Sequence, residues 1–430
     1  MRPRGAVFLG AAILAGVGVA SGQRLDVFVA ERDHPAIKYS DGPVRNQISE
    51  LNRRIVDGSV RLPYDPTTGY LRSTVEALKI AVDSQVLVFS QTSFQAPRIE
   101  PRNPRALYFN DSTAVGWVRG GDLLEVAALD ATQGAVFYAL EQKPTERPQF
   151  QRNNACLECH LSWETFGVPG LMVLSTFPMI DEPTSYAGGF VSDHRRPLAQ
   201  RWGGWYVTGH SPIKHLGNAP VLIPPGGELN PPKRGADLDS VSGEFDTSGY
   251  LSTHSDIVAL MLLEHQTRMA NLLIRMGWET RIAESEATPA GAALPSRPRP
   301  SLPDHVRDAA NDLVDYLLFI DEEPIPSQVR GSSGFTARFS AEGPADQSGR
   351  SLRQFDLQRR LMRYPCSYMI YSETFDALPP LAKDAVYSRM WQILSGQESG
   401  KPYNRLTPAD RRAIIEILRG TKKDLPQYFR

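Results

Sequence analysis

Cysteine is scarce: the chain has three in 430 residues. A disulfide scaffold needs a dense, even set of half-cystines, so that class is excluded. An excess of charge of one sign is also missing, because 47 lysines and arginines nearly cancel 48 aspartates and glutamates. Such a balance gives no general pull toward anionic lipid, and beyond short arginine clusters no basic stretch points to nucleic acid. After the N-terminus no apolar run is long enough to span a bilayer, and no segment repeats. What is present is a 41% hydrophobic composition, over a length that suits two or three domains or one large domain with insertions.

The chain begins MRPRGAVFLGAAILAGVGVASGQ. Arg2 and Arg4 form a positive start, Gly5 to Ala20 an apolar stretch, and Ala20-Ser21-Gly22 a small-residue cleavage site before Gln23. This pattern predicts a signal peptide over residues 1–22 and a periplasmic or secreted mature protein with no transmembrane segment. An uncut anchor is the alternative, for which the run is short. No cysteine follows the run, so a lipoprotein signal is excluded.

Residues 45–58 and 70–83 read as helices from apolar spacing. Short apolar runs follow at 86–90, 106–109, 113–118, 123–128 and 135–140, bounded by Gly, Pro, Asn or Asp. They predict an antiparallel sheet, with turns at Asn110-Asp111 and Gly120-Gly121. Residues 151–250 are rich in Gly, Pro, Trp and His and read as loops around a filler, with short strands at 171–177 and 204–208. The longest helical pattern runs from His254 to Trp278, with Ser252 or Thr253 as cap and Gly277 near its end. An Ala/Pro/Ser/Arg-rich linker over 281–302 comes next. Helices are expected at 305–319, 351–364, 380–395 and 407–419, and a loop at 321–350.

The expected fold class is therefore α+β. A small antiparallel sheet occupies the N-terminal third, within residues 23–150. A loop-rich middle, 151–280, is covered by helices, and the C-terminal region, 303–430, is helical.

Two of the three cysteines lie in Cys156-Leu157-Glu158-Cys159-His160. In this spacing each thiol can add across one vinyl group of a haem, and the histidine that follows lies under the iron as proximal ligand. Such attachment takes place outside the cytoplasm in bacteria, and the export signal meets that requirement independently. A redox dithiol would follow an apolar strand, which Gln151 to Ala155 is not. A zinc site needs further nearby ligands, and Cys366 is remote in sequence. The motif predicts one covalent haem c on Cys156 and Cys159 with His160 on the iron.

The pentapeptide resembles the attachment site of c-type cytochromes, and the likeness continues into Gly167-Val168-Pro169-Gly170-Leu171. In small members of that group a proline carbonyl accepts a hydrogen bond from the proximal histidine. The resemblance makes Pro169 the matching residue. An ordinary turn proline is the other reading. The segments RWGGWYVTGH, HSDIVALMLLEHQ and YPCSYMIYS look like those of a group of large exported single-haem bacterial proteins. That likeness implies a fold and no particular reaction.

The sixth iron position separates electron carriage from chemistry on small oxidants. Met172 and Met179 follow the motif closely and read as packing. His194 and His210 are the first histidine candidates, the latter in a glycine-rich stretch that would allow close approach to a macrocycle. His215 follows within a turn. His254 and His265 lie about 20° apart on a helix and are the weaker pair. For each of these a hydrogen-bonded structural role is the competing reading. Trp202, Trp205 and Tyr206 read as haem contacts or as aromatic core. Cys366 reads as a buried small apolar residue, with a thiolate near the haem or a pairing between chains as alternatives.

These features point to single-electron transfer to a redox partner protein. The alternatives are a haem-dependent oxidoreductase with an open distal site, and a haem-based redox or gas sensor. The chain is long for a plain carrier, while a second haem motif, which diheme peroxidases need, is missing.

Overall fold

The computed structural model describes residues 28, 31–179, 181–222, 227, 228, 235, 237–287 and 302–429. The expected signal peptide, and residues 288–301 of the expected linker, lie outside the described residues.

The chain is α+β. The helices α1 (Gln47–Val56) and α2 (Leu71–Ala77) precede the strands β1 (Val86–Val88), β2 (Arg105–Phe109), β3 (Thr113–Trp117), β4 (Leu123–Asp130), β5 (Gly134–Glu141) and β6 (Gln151–Arg152). A short helical turn, α3 (Leu157–His160), leads to the hairpin β7 (Leu174–Phe177) and β8 (Gly188–Val191), then to β9 (Trp205–Tyr206) and β10 (Gly209–His210). The long helix α4 (Ile257–Ala287) and the helix α5 (Asp304–Leu317) follow. The main sheet has seven strands in the order β6-β5-β4-β3-β2-β1-β9, and every neighbouring pair is antiparallel.

Alternation gives this sheet two different faces. Tyr108, Val115, Val126 and Tyr138 are cross-strand neighbours on one of them, and they share a core with Ile48, Leu51 and Ile55 of α1. Asn46 fixes that docking: its side chain caps α1 at Ile48 N and Ser49 N and also donates to the Tyr138 hydroxyl, 3.1 Å away. The opposite row is Phe109, Ala114, Ala127 and Phe137. It faces α4, whose Gln266 and Trp278 side chains donate to the carbonyls of Asn110 and Thr132.

The helix α4 has 31 residues and is buried on every side over most of its length. It starts later than the sequence pattern predicts. Thr208 donates to the Ser255 carbonyl and accepts from Ile257 N–H, so the chain up to Asp256 is held by its neighbour instead of coiling. Asp256 is the cap in place of Ser252 or Thr253, accepting from Val258 N at 2.8 Å and Ala259 N at 3.2 Å. Gly277 does not end the helix. A side chain there would meet Arg281 Nη1 at 2.7 Å, a contact the flexible arginine can relieve, and the helix runs on to Ala287.

Two further expectations differ. Residues 351–364 form turns and an isolated bridge, Phe355 to Met362, and no helix. The reason is local: Leu357 has φ +57°, and the Asp356 carboxylate binds the backbone of Gln358 and Arg359, a turn that competes with helix. Conversely the expected loop 321–350 contains a helix, Phe335–Ala341, anchored by the buried rings of Phe335 and Phe339. Helices at Pro380–Leu394 and Pro408–Thr421 complete the helical C-terminal region. Among the described residues no helix is long and apolar enough to cross a membrane.

Candidate functional site

The last strand of the sheet aims the cysteine turn. β6 pairs with β5, and Asn153 N–H then donates to the Phe137 carbonyl at 2.9 Å. The Asn153 side chain accepts from Ala155 N and closes the turn at Asn154–Cys156. α3 follows directly. Leu157 and Leu161, one helical turn apart, are 4% and 3% exposed and pin the turn to the core under the sheet. Cys156 is half-buried, Cys159 exposed, and both thiols are free. Sequence spacing and structure thus agree in putting both cysteines and His160 on one turn.

His160 is fixed from two directions. Its ring lies 4.8 Å from that of Phe137 on β5. Nδ1 is 2.9 Å from the Gly170 carbonyl, and the His160 carbonyl accepts from Gly170 N–H at 2.9 Å. A carbonyl only accepts, so Nδ1 carries the proton and Nε2 keeps its lone pair. Burial lowers the pKa of this histidine to about 4, against a smaller raising effect of the Gly170 hydrogen bond. The ring is therefore neutral at ordinary pH. Nε2 makes no hydrogen bond to any described residue. A neutral imidazole with a fixed Nδ1–H and a free Nε2 is the form that binds a metal.

The carbonyl that holds His160 is not that of Pro169, which is a correction. Pro169 O accepts instead from Ala135 N at 2.9 Å. The next carbonyl along, that of Gly170, is the one that meets His160 Nδ1. Pro169 thus serves the sheet, and Gly170 serves the histidine. The approach works through glycine, since a side chain at position 170 would lie 2.2 Å from Asn271 Oδ1. Asn271 of α4 grips the next residue twice: Oδ1 accepts from Leu171 N at 3.1 Å and Nδ2 donates to Leu171 O at 2.8 Å. No spacing rule in the sequence marks Asn271 or Phe137.

Burial, then the nearby Glu125 carboxylate, pushes the Cys156 thiol up to about 11. A thiol held protonated is a poor zinc ligand and a poor exchange nucleophile, whereas a thioether carries no charge to desolvate. Among the described residues no cluster of His, Cys, Asp and Glu is arranged to hold a metal ion by itself.

Of the histidines expected as a sixth ligand, His210 and His254 are remote from the turn. Gly209 packs on Ile257 at the start of α4, while Gly170 packs on Asn271. Those helix positions are separated by about 21 Å of axis. His210 therefore sits far from His160, half-exposed and paired with Asp237 at 2.5 Å. His254 lies at the same end, its Nδ1 3.1 Å from the Asp239 carbonyl. His194 and His265 are buried and joined through Nδ1 to Nδ1 at 2.9 Å. His265 Nε2 bonds Ser367 Oγ at 2.7 Å. The His194 ring is stacked on Tyr316 at 4.1 Å and on Phe319 at 4.7 Å. His215 is buried against Trp202. Trp202, Trp205 and Tyr206 are core residues, at most 4% exposed. Cys366 is fully buried, and burial alone raises its thiol pKa.

A cleft of about 1160 Å³ opens beside the turn, lined among others by Cys159, Trp163, Met172, Phe190, Arg195 and Arg268. It is large for a small-molecule site, which runs about 300–1,000 Å³. No protein-family model matches the chain, and no curated protein or solved structure matches it either.

Proposed function

We propose that this is an exported single-haem c-type cytochrome that passes single electrons to a redox partner protein. The carrying observation is His160, neutral, locked through Nδ1 to the Gly170 carbonyl and free at Nε2, one residue after a turn with two free thiols. The residues present fit the group: two thiols at the right spacing, a nitrogen donor of the right form, and an adjoining cleft. A bound haem c supplies reversible one-electron chemistry at its iron.

The chain's own residues do the rest. Cys156 and Cys159 would fasten the macrocycle to a turn that Leu157 and Leu161 anchor. Phe137 and Gly170 orient the imidazole, and the hydrogen bond at Nδ1 strengthens its donation to a metal. Cys159 is exposed, so a group fastened there would be open to a partner protein, which favours electron exchange over buried chemistry. Periplasmic export belongs to the same proposal. A second reading, an oxidoreductase with an exchangeable sixth position, is favoured by the placing of His210 and His254 far from His160 and by the pairing of His265 with His194 and Ser367. Absorption spectra of the purified holoprotein distinguish the two. Low-spin bands in both oxidation states, unmoved by carbon monoxide or cyanide, support the carrier. A high-spin ferric spectrum that shifts with those ligands overturns it in favour of the second reading.

A further inference from the structure

At the floor of the cleft beside Cys159 lies a guanidinium whose hydrogen-bonding capacity the protein does not use. Arg268 projects from α4 between two aromatic faces, 4.6 Å from the Phe166 ring and 5.7 Å from that of Tyr316. Both contacts hold its plane without consuming an N–H. The carboxylate within ion-pair reach is Asp193, 3.3 Å from Nε, and this approach is outside hydrogen-bond geometry. Asp193 is already committed, taking two side-chain hydrogen bonds from Arg195 at 3.1 Å and 2.8 Å. One carboxylate thus serves two arginines, and the terminal nitrogens of Arg268 donate to no described residue.

The surroundings say what would complete this group. Its side chain is 20% exposed, so it reaches the cleft while most of it is out of water. Burial and the like charge of Arg195 both disfavour its cation, and a second anion would offset both. The cleft carries Glu158, Glu164, Asp193 and Asp321 against Arg195, Arg196 and Arg268, so it has no cationic excess to draw a bulky polyanion. Its apolar wall is made of Phe166, Met172, Leu174 and Phe190. A planar fork backed by rings suits a carboxylate held bidentately.

We propose that Arg268 is a carboxylate receptor, and that the cleft takes a flat apolar molecule carrying that carboxylate. Two sources share this chemistry: a propionate of the attached haem, which rests on the haem reading above, and a free aromatic acid, which does not.

The test uses holoprotein with Arg268, with R268K and with R268Q, each checked by thermal melting for folding. Benzoate is titrated by calorimetry, and the reduction potential is followed from pH 5 to 9. If a free acid is the ligand, benzoate binds, R268Q weakens it roughly tenfold or more, and R268K restores only part, because a single ammonium lacks the fork. If the propionate is the ligand, benzoate does not bind and R268Q adds a pH-dependent wave to the potential that the parent lacks. R268K keeps the charge and reduces that wave. Folded R268Q protein with parental benzoate titration and parental pH profile overturns the proposal. Protein lacking haem defeats the haem reading alone, and the benzoate titration then decides the receptor by itself.

Discussion

Asn271→Ala is a sharp probe of the site, because it touches neither the motif nor the histidine. The side chain makes two hydrogen bonds, at 3.1 Å and 2.8 Å, to the backbone of Leu171. Each contributes about 0.5–1.5 kcal/mol net, and a buried group left unpaired costs about 1–3 kcal/mol. Leu171 is half-buried, so water reaches part of what is stranded and the lower figures apply. The expected cost is about 1–2 kcal/mol, read as a lowered urea midpoint at constant slope. The segment also carries the carbonyl of Gly170, so the proposed haem offers a second readout. A looser Gly170 carbonyl weakens the bond to His160 Nδ1, the imidazole donates less, and the reduction potential rises. Asn271→Asp keeps the acceptor for Leu171 N–H and loses the donor, so it falls between. A holoprotein variant with a stability change under about 0.5 kcal/mol and an unshifted potential would refute the clamp.

Other perturbations follow from the same geometry. Phe137→Ala removes a ring 5% exposed that abuts His160, and should cost about 3–5 kcal/mol in denaturant unfolding and perturb the Soret band. Glu264→Ala strands Arg201, whose side chain is 3% exposed and 3.1 Å from that carboxylate; thermal unfolding should show a loss of about 3–5 kcal/mol, more than any exposed pair would give. His215 has its pKa lowered from 6.5 to about 4, chiefly by burial. The unfolded chain therefore binds a proton that the folded one refuses, so stability is intact above pH 6.5 and falls as pH drops toward 4. His215→Gln should flatten that stretch of the pH–stability curve by about 3 kcal/mol; an unchanged slope would remove His215 as its cause. Cys366→Ala should leave the visible spectrum of the holoprotein untouched, since the thiol is buried in the helical core. A changed Soret band would make it a haem neighbour after all.

The sheet was legible because β2 to β5 are short apolar runs closed by Asn110-Asp111 and Gly120-Gly121, features that act locally. The cysteine turn was legible for the same reason, since the two cysteines and the histidine lie within five consecutive residues. What decided the rest acts over distance. The start of α4 depends on Thr208, and residues 351–364 obey the Asp356 turn more than their apolar spacing. Whether Pro169 or Gly170 faces His160 depends on which carbonyl β5 takes. His194 and His265 look like ligand candidates in the sequence, yet 71 residues apart they meet each other in the core. Arg268 carries no motif and stands out only when its rings and its overcommitted carboxylate are seen together.

The most direct measurement is the intact mass of the mature chain made in a host with haem-attachment machinery, beside the double variant Cys156→Ser, Cys159→Ser. The parent should carry the mass of one haem through denaturation, and the double variant should not. A colourless parent at its bare polypeptide mass would contradict the account.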